Sequence, residues 1–229
     1  DIYFFSDQDD VWLPDKLAIQ LAAAENYDAS LPLLVYMDLK VVDQELNVVH
    51  ESMIRTQSDH ANTELIQELT ENTVTGGVAM INHTLAELWT GQENHALLMH
   101  DWYLALLASA FGKLVYIDKP TELYRQHSSN VLGARTLRKR VKNWVRPHVL
   151  FNKYWQLIKA SQEQAKNLLD LSLSPENKEL IENFVTIMDV TFRERLARIR
   201  KYGYRKNRAF HTCVFTTLIL TKFAYRGKK

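Results

Sequence analysis

Three carboxylates crowd into four positions near the start of the chain, where Asp7, Asp9 and Asp10 follow the apolar run Ile2-Tyr3-Phe4-Phe5. Ile, Tyr and Phe fit a buried strand. Acids cannot stay inside unpaired, so the three should stand just past the strand's carboxyl end. In open α/β sheets ligands bind there. Crowded carboxylates repel one another, and a hard divalent cation such as Mg²⁺ or Mn²⁺ relieves that repulsion and can in turn hold a diphosphate. The alternative is a plain polar turn, with Asp10 near a helix start at Pro14. The apolar strand before the acids favours the metal site.

Other residues with chemical potential lie further on. Asp38 ends the short apolar strand 33–37 and repeats the pattern of a strand emptying into a carboxylate; a turn or helix cap explains it equally well. The run Val74-Thr75-Gly76-Gly77-Val78-Ala79-Met80-Ile81 puts paired glycines in an apolar strand. Such a pair marks either a close approach to a ligand or another segment, or a bulge. Asp101 opens an apolar helix, 102–111, which Gly112 ends, and aspartate fills an N-cap well.

The elements that must position these groups follow from period and punctuation. Residues 14–27 read as a helix with Leu17, Leu21 and Ala24 on one face; 41–49 as a hairpin; 52–62 as a polar loop; 64–72 and 84–89 as short helices; 113–118 as a strand. Pro120 then opens a short segment leading to Tyr124-Arg125-Gln126-His127, and 128–134 reads as a loop. After Ala134 the composition changes. Arg135, Arg138, Lys139, Arg140, Lys142 and Arg146 form a basic cluster, and 149–171 is helical in pattern. Ser174-Pro175 should cap one long helix, 176–202, with Ile181, Phe184, Val185, Met188, Phe192, Leu196 and Ile199 as its apolar stripe and Gly203 as its stop. The mostly apolar run 209–225 is rimmed by basic residues, which suits a helix lying in an anionic membrane interface; an ordinary core-docking helix is the alternative.

Totals narrow the class. With 229 residues and 46% hydrophobic content the chain can bury a core, and its net charge of +1 carries no global bias toward nucleic acid. No recognisable nucleic-acid motif accompanies the basic tail, so no nucleic-acid partner is expected. The single cysteine, Cys213, excludes an internal disulfide and fits a reducing compartment. No run of about 20 apolar residues is present to span a bilayer.

The stretch Asp7-Gln8-Asp9-Asp10-Val11-Trp12-Leu13-Pro14-Asp15-Lys16-Leu17 also resembles the metal-binding segment of family 2 glycosyltransferases of the GT-A fold, and most of all the bacterial rhamnosyltransferases of cell-surface polysaccharide synthesis. The resemblance continues through the Gly-Gly segment, His100-Asp101 and Tyr124-Arg125-Gln126-His127, in that order. It implies the carboxyl-terminal part of a Rossmann-like GT-A catalytic core over 1–133 and a helical, basic extension over 134–229. The nucleotide-binding half that normally precedes the acidic motif is not in the sequence, which therefore looks like part of a longer enzyme. The implied activity is inverting, metal-dependent transfer of a sugar, L-rhamnose from a dTDP-sugar, to a glycan or lipid-linked acceptor. The implied setting is the cytoplasmic face of the cell membrane.

By the same resemblance Asp7, Asp9, Asp10 and His127 are metal ligands, with Asp9 the most direct, and Mg²⁺ or Mn²⁺ is the cofactor. Asp101 is the catalytic base, although the family often shows Glu-Asp where this chain has His100-Asp101. Asp38, Thr75, Gly76, Gly77, Trp102 and Arg125 fall on the substrate side, with Arg125 near the diphosphate. Two alternatives compete. Asp7-Gln8-Asp9-Asp10-Val11 also fits the nucleophile loop of haloacid dehalogenase-type phosphatases, with Asp7 phosphorylated and Asp9 as acid/base, but the later lysine and acidic pair of that family find no convincing match. The third reading is an inactive, membrane-associated module.

Overall fold

The computed structural model describes residues 1–57, 61–92, 97, 99–126 and 147–225. The chain divides into two compact units, one of Asp1–Glu68 with Asn72–Ala134 and one of Leu69–Glu71 with Arg135–Lys229.

The first unit is a mixed α/β sheet. Its strands are β1 (Ile2–Phe4), β2 (Val11–Trp12), β3 (Leu33–Val42), β4 (Val48–His50), β5 (Ala79–Asn82) and β6 (Lys113–Arg125), ordered β1-β5-β3-β6-β2 with β4 on the end of β3. Only β3 and β6 run parallel; β1, β2, β4 and β5 all pair antiparallel. β3 is apolar along nearly its whole length because both of its faces are covered. Leu33, Val35, Met37, Leu39 and Val41 pack with Ile19, Ala23 and Ala24 of α1 (Lys16–Ala24), while Leu34 and Tyr36, on the other face by alternation, are equally buried.

Several lengths differ from the sequence expectation. β3 runs to Val42 rather than stopping at Met37, and β6 runs through Pro120 to Arg125. Proline fits there because it lies opposite Asp38 where the register shifts, a place that lacks a regular ladder bond. The expected strand 74–81 begins only at Ala79; Gly76–Val78 is a 3₁₀ turn. Within the expected loop 52–62 sits α2 (Met53–Gln57), and the helix expected over 64–72 is the short α3 (Leu65–Glu68). The helices α4 (His83–Thr90) and α5 (His100–Phe111) lie where expected, and α5 is buried from Asp101 to Ala108.

The second unit is helical: α6 (Pro147–Asn167), α7 (Pro175–Val185), α8 (Phe192–Tyr202) and α9 (Ala209–Thr221). The single helix expected over 176–202 is two. Ser174 caps α7 as expected, but the chain turns after Val185 and restarts at a capping box, in which the Thr191 hydroxyl accepts from the Glu194 amide and the Glu194 carboxylate accepts from the Thr191 amide. The break exposes Phe192, which therefore leaves the apolar stripe. Buried Arg195 is held by the Val190 and Leu220 carbonyls at 2.6 and 2.9 Å. Gly203 ends α8 at φ 71°, the left-handed conformation glycine adopts without strain. On α9, Phe215, Leu218 and Ile219 dock into the unit, as the core-docking alternative required of that face, while Phe210 and, just beyond the helix, Phe223 stay exposed. Among the described residues no helix is long and apolar enough to cross a membrane. The basic cluster 135–146 lies outside the described residues.

Candidate active site

The acid-rich turn leaves β1 at Phe4 and re-enters the sheet at β2, beside β6. Its carboxylates part ways. Asp7 and Asp9 are exposed. Asp10 turns inward: its Oδ1 accepts the Arg125 amide at 2.9 Å and its carboxyl group faces that of Glu122. Asp10 is bound to the protein, and Asp7 and Asp9 are the outward pair.

Behind the turn lies a buried charge cluster. Lys16, the first residue of α1, places its ammonium 2.5 Å from Glu122 Oε2, 2.5 Å from the Gly77 carbonyl and 3.9 Å from the centre of the Trp12 ring. Lys16 and Glu122 are both fully buried. Burial pushes the Lys16 ammonium down and the Glu122 carboxyl up to about 7, the facing Asp10 carboxyl adding to the second shift. Mutual attraction alone would move the two the other way, so desolvation outweighs it. Burial likewise raises Asp10, and the Asp7 and Asp9 charges add to that rise.

The paired glycines make this packing possible. A Cβ on Gly77 would collide with Glu122 Oε1, and one on Gly76 would stand 3.1 Å from His100 Nε2. The close approaches here are to other chain segments, which the sequence left open beside a ligand. His100 also stacks on Phe5 with ring centres 5.5 Å apart. The exit of β1, the glycine turn and the start of α5 therefore meet at one place.

Asp101 sits there, within the first turn of α5 rather than at its N-cap, which is Met99. Its Oδ1 accepts the Trp102 amide at 2.8 Å, and the Asn72 side chain bonds to it as well. Burial raises its carboxyl above the usual range, against the pull of the Trp102 amide and the neighbouring His100. A carboxylate fixed on a rigid helix and raised by burial suits proton abstraction.

Other candidates are placed differently. Asp38 is buried and committed: Oδ1 accepts the amides of Leu39, Met53 and Ile54 at 2.8, 3.1 and 3.2 Å, and Oδ2 accepts the Ser52 hydroxyl. It caps α2. Trp102 is a buried core residue whose Nε1–H donates to the Glu68 carbonyl at 2.7 Å. Thr75 precedes the 3₁₀ turn, and its carbonyl accepts the Val78 amide. Arg125 serves the turn through its backbone amide, and its Nη1 reaches the Gln44 carbonyl at 3.3 Å. His127 lies outside the described residues. Glu122 and the function of Lys16 were not anticipated. Lys16 stood in the motif without a role, and nothing local to Glu122 marks it.

Among the described residues no three His, Cys, Asp or Glu side chains converge on a metal position. The donor set nonetheless fits Mg²⁺, which keeps several waters and is commonly held by one or two carboxylates together with substrate phosphates. Asp7 and Asp9 are such a pair. A phosphatase of the kind considered above needs a lysine at the nucleophile; Lys16 is instead committed to Glu122 and Gly77.

No family model matches the chain. It is similar to the dTDP-rhamnosyl transferase RfbG of Shigella flexneri, with 31% identity over 145 residues, covering 58% of this chain and 46% of that protein. The chain thus spans about half the length of the curated relative it matches. The mixed α/β sheet is compatible with a Rossmann-like fold.

Proposed function

We propose that this protein is the acceptor and metal side of an inverting GT-A glycosyltransferase of family 2, moving L-rhamnose from a dTDP-sugar to a glycan or lipid-linked acceptor. The observation that carries the reading is the meeting of Phe5 at the exit of β1, the glycine turn and His100, the neighbour of Asp101, in a chain similar to a dTDP-rhamnosyl transferase. Asp7 and Asp9 would hold Mg²⁺ or Mn²⁺, with His127 a further ligand. A cation held there would supply positive charge against the diphosphate leaving group. Asp101 takes the proton of the acceptor hydroxyl while that oxygen attacks the anomeric carbon from the face opposite the diphosphate. The new C–O bond forms as the bond to the diphosphate breaks, and the anomeric configuration inverts. Gly76 lets the chain pass close to His100, beside the base, and Gly77 makes room for Glu122 behind the acidic turn. Nucleotide binding tests the reading: dTDP should bind the full-length protein more tightly with Mn²⁺ present than with EDTA.

We place the reaction at the cytoplasmic face of a membrane, because exposed Phe210 and Phe223 accompany the basic residues Arg193, Arg200, Lys201 and Arg205 in the helical unit. The protein should sediment with vesicles containing anionic lipid and be released as salt rises, since exposed charges are screened within about 10 Å at 0.1 M. No sedimentation at low salt with folded protein would remove the membrane from the proposal.

A further inference from the structure

We propose that Lys16 and Glu122 are positioning residues: they hold Asp10 turned inward and thereby set where Asp7 and Asp9 stand. The proposal rests on reading the turn as a cation-binding one. The Lys16 ammonium joins three separate pieces of the sheet unit, namely Glu122 on β6, the Gly77 carbonyl in the turn before β5, and the Trp12 ring on β2. Glu122 Oε2 is taken by this ammonium. Glu122 Oε1 and Asp10 Oδ2 are buried, and no N–H or O–H of another described residue reaches them. The two carboxyl groups face each other. Asp10 Oδ1 is taken by the Arg125 amide. Asp10 is therefore tied to β6 through Oδ1, with Oδ2 packed against Glu122 on the same strand, which turns its carboxyl away from Asp7 and Asp9. Gly77 belongs to the same device, since Glu122 occupies the space a side chain there would need.

An amide can replace the Glu122 carboxyl in this arrangement: its oxygen would accept from Lys16 and its NH₂ would donate to Asp10. That separates positioning from direct metal ligation. Mn²⁺ affinity, read by paramagnetic resonance, and hydrogen exchange of the amides of 7–13 are to be measured on the full-length protein and on Glu122→Ala, Glu122→Gln and Lys16→Met. Amides in α5 serve as the check that each variant is folded. Glu122→Ala and Lys16→Met should weaken Mn²⁺ by about tenfold or more, the usual scale for groups that orient a metal ligand, and should speed exchange at Trp12 and at Leu13, whose amide bonds the Thr121 carbonyl. Glu122→Gln should keep affinity within about threefold and leave exchange unchanged. Loss of Mn²⁺ in Glu122→Gln equal to that in Glu122→Ala would make Glu122 a ligand and overturn the positioning role. Unchanged exchange over 7–13 in all three variants would overturn it whether or not Mn²⁺ binds. A wild-type protein that binds no Mn²⁺ would refute the cation reading instead, and the exchange result would then decide the proposal alone.

Discussion

Asp101→Asn is expected to lower sugar transfer by about 100-fold or more, the scale of losing a general base, while leaving the fold intact. Asparagine keeps an oxygen where Asp101 Oδ1 accepts the Trp102 amide. It also removes a carboxyl whose ionised form burial already disfavours. The melting temperature should therefore stay within about 3 °C of wild type, the shift that roughly 1 kcal/mol produces in a chain of this size. Asparagine cannot take a proton from the acceptor hydroxyl, so the chemical step fails even though the acceptor still fits. Binding of dTDP should survive, because the base acts on the acceptor and not on the diphosphate. The check is a paired one, transfer and melting for the variant against wild type in the full-length protein. Transfer within a few-fold of wild type would leave Asp101 a structural residue.

Asp38→Ala should do the opposite. The Asp38 carboxylate satisfies the amides of Leu39, Met53 and Ile54 and the Ser52 hydroxyl. Each buried donor left unpaired costs ~1–3 kcal/mol, and the loss of a helix cap costs ~1 kcal/mol. Some of these donors will find water, so a loss of about 3 kcal/mol is expected, read from denaturant midpoints. Asp38→Asn retains the oxygen that accepts the three amides, and the Ser52 hydroxyl can turn to accept from the new NH₂, so it should lose only about 1 kcal/mol. Transfer per folded molecule should stay within a few-fold of wild type in both variants. A tenfold fall in transfer at unchanged stability would make Asp38 a substrate contact and not only a cap.

These two aspartates show what the sequence could convey. Each stands at the edge of an apolar element, and each reads equally well as cap or chemistry. Asp38 turns out to be the cap and Asp101 is not one, because what decides is which amide groups surround the carboxylate, and those come from α2 in one case and from Trp102 and Asn72 in the other. The strand before the acidic turn was legible as a strand, although it is an edge strand with Ile2 and Tyr3 exposed and not the buried one expected; α4, α5 and the Ser174 cap were legible, since period and capping are local. The restart at Thr191 was masked: Thr191-Phe192-Arg193-Glu194 carries the capping-box pattern, but the apolar stripe of 176–202 runs straight through it and suggests continuity. The inward turn of Asp10 was not legible. It depends on Lys16 meeting Glu122 across 106 positions and on Gly77 leaving room for the carboxyl group. The full extent of β6 was hidden by Pro120, which ordinarily argues against a strand and is tolerated here by the register shift opposite Asp38.

The central claim is that Asp7 and Asp9 hold a cation that carries the nucleotide diphosphate. Titration calorimetry of dTDP into the full-length protein, with Mn²⁺ and with EDTA, tests it most directly when repeated on Asp9→Asn. The wild type should bind dTDP about tenfold or more tightly with Mn²⁺, a difference of about 1.4 kcal/mol, and Asp9→Asn should bind equally weakly under both conditions. Equal affinity of the wild type with Mn²⁺ and with EDTA would contradict the account.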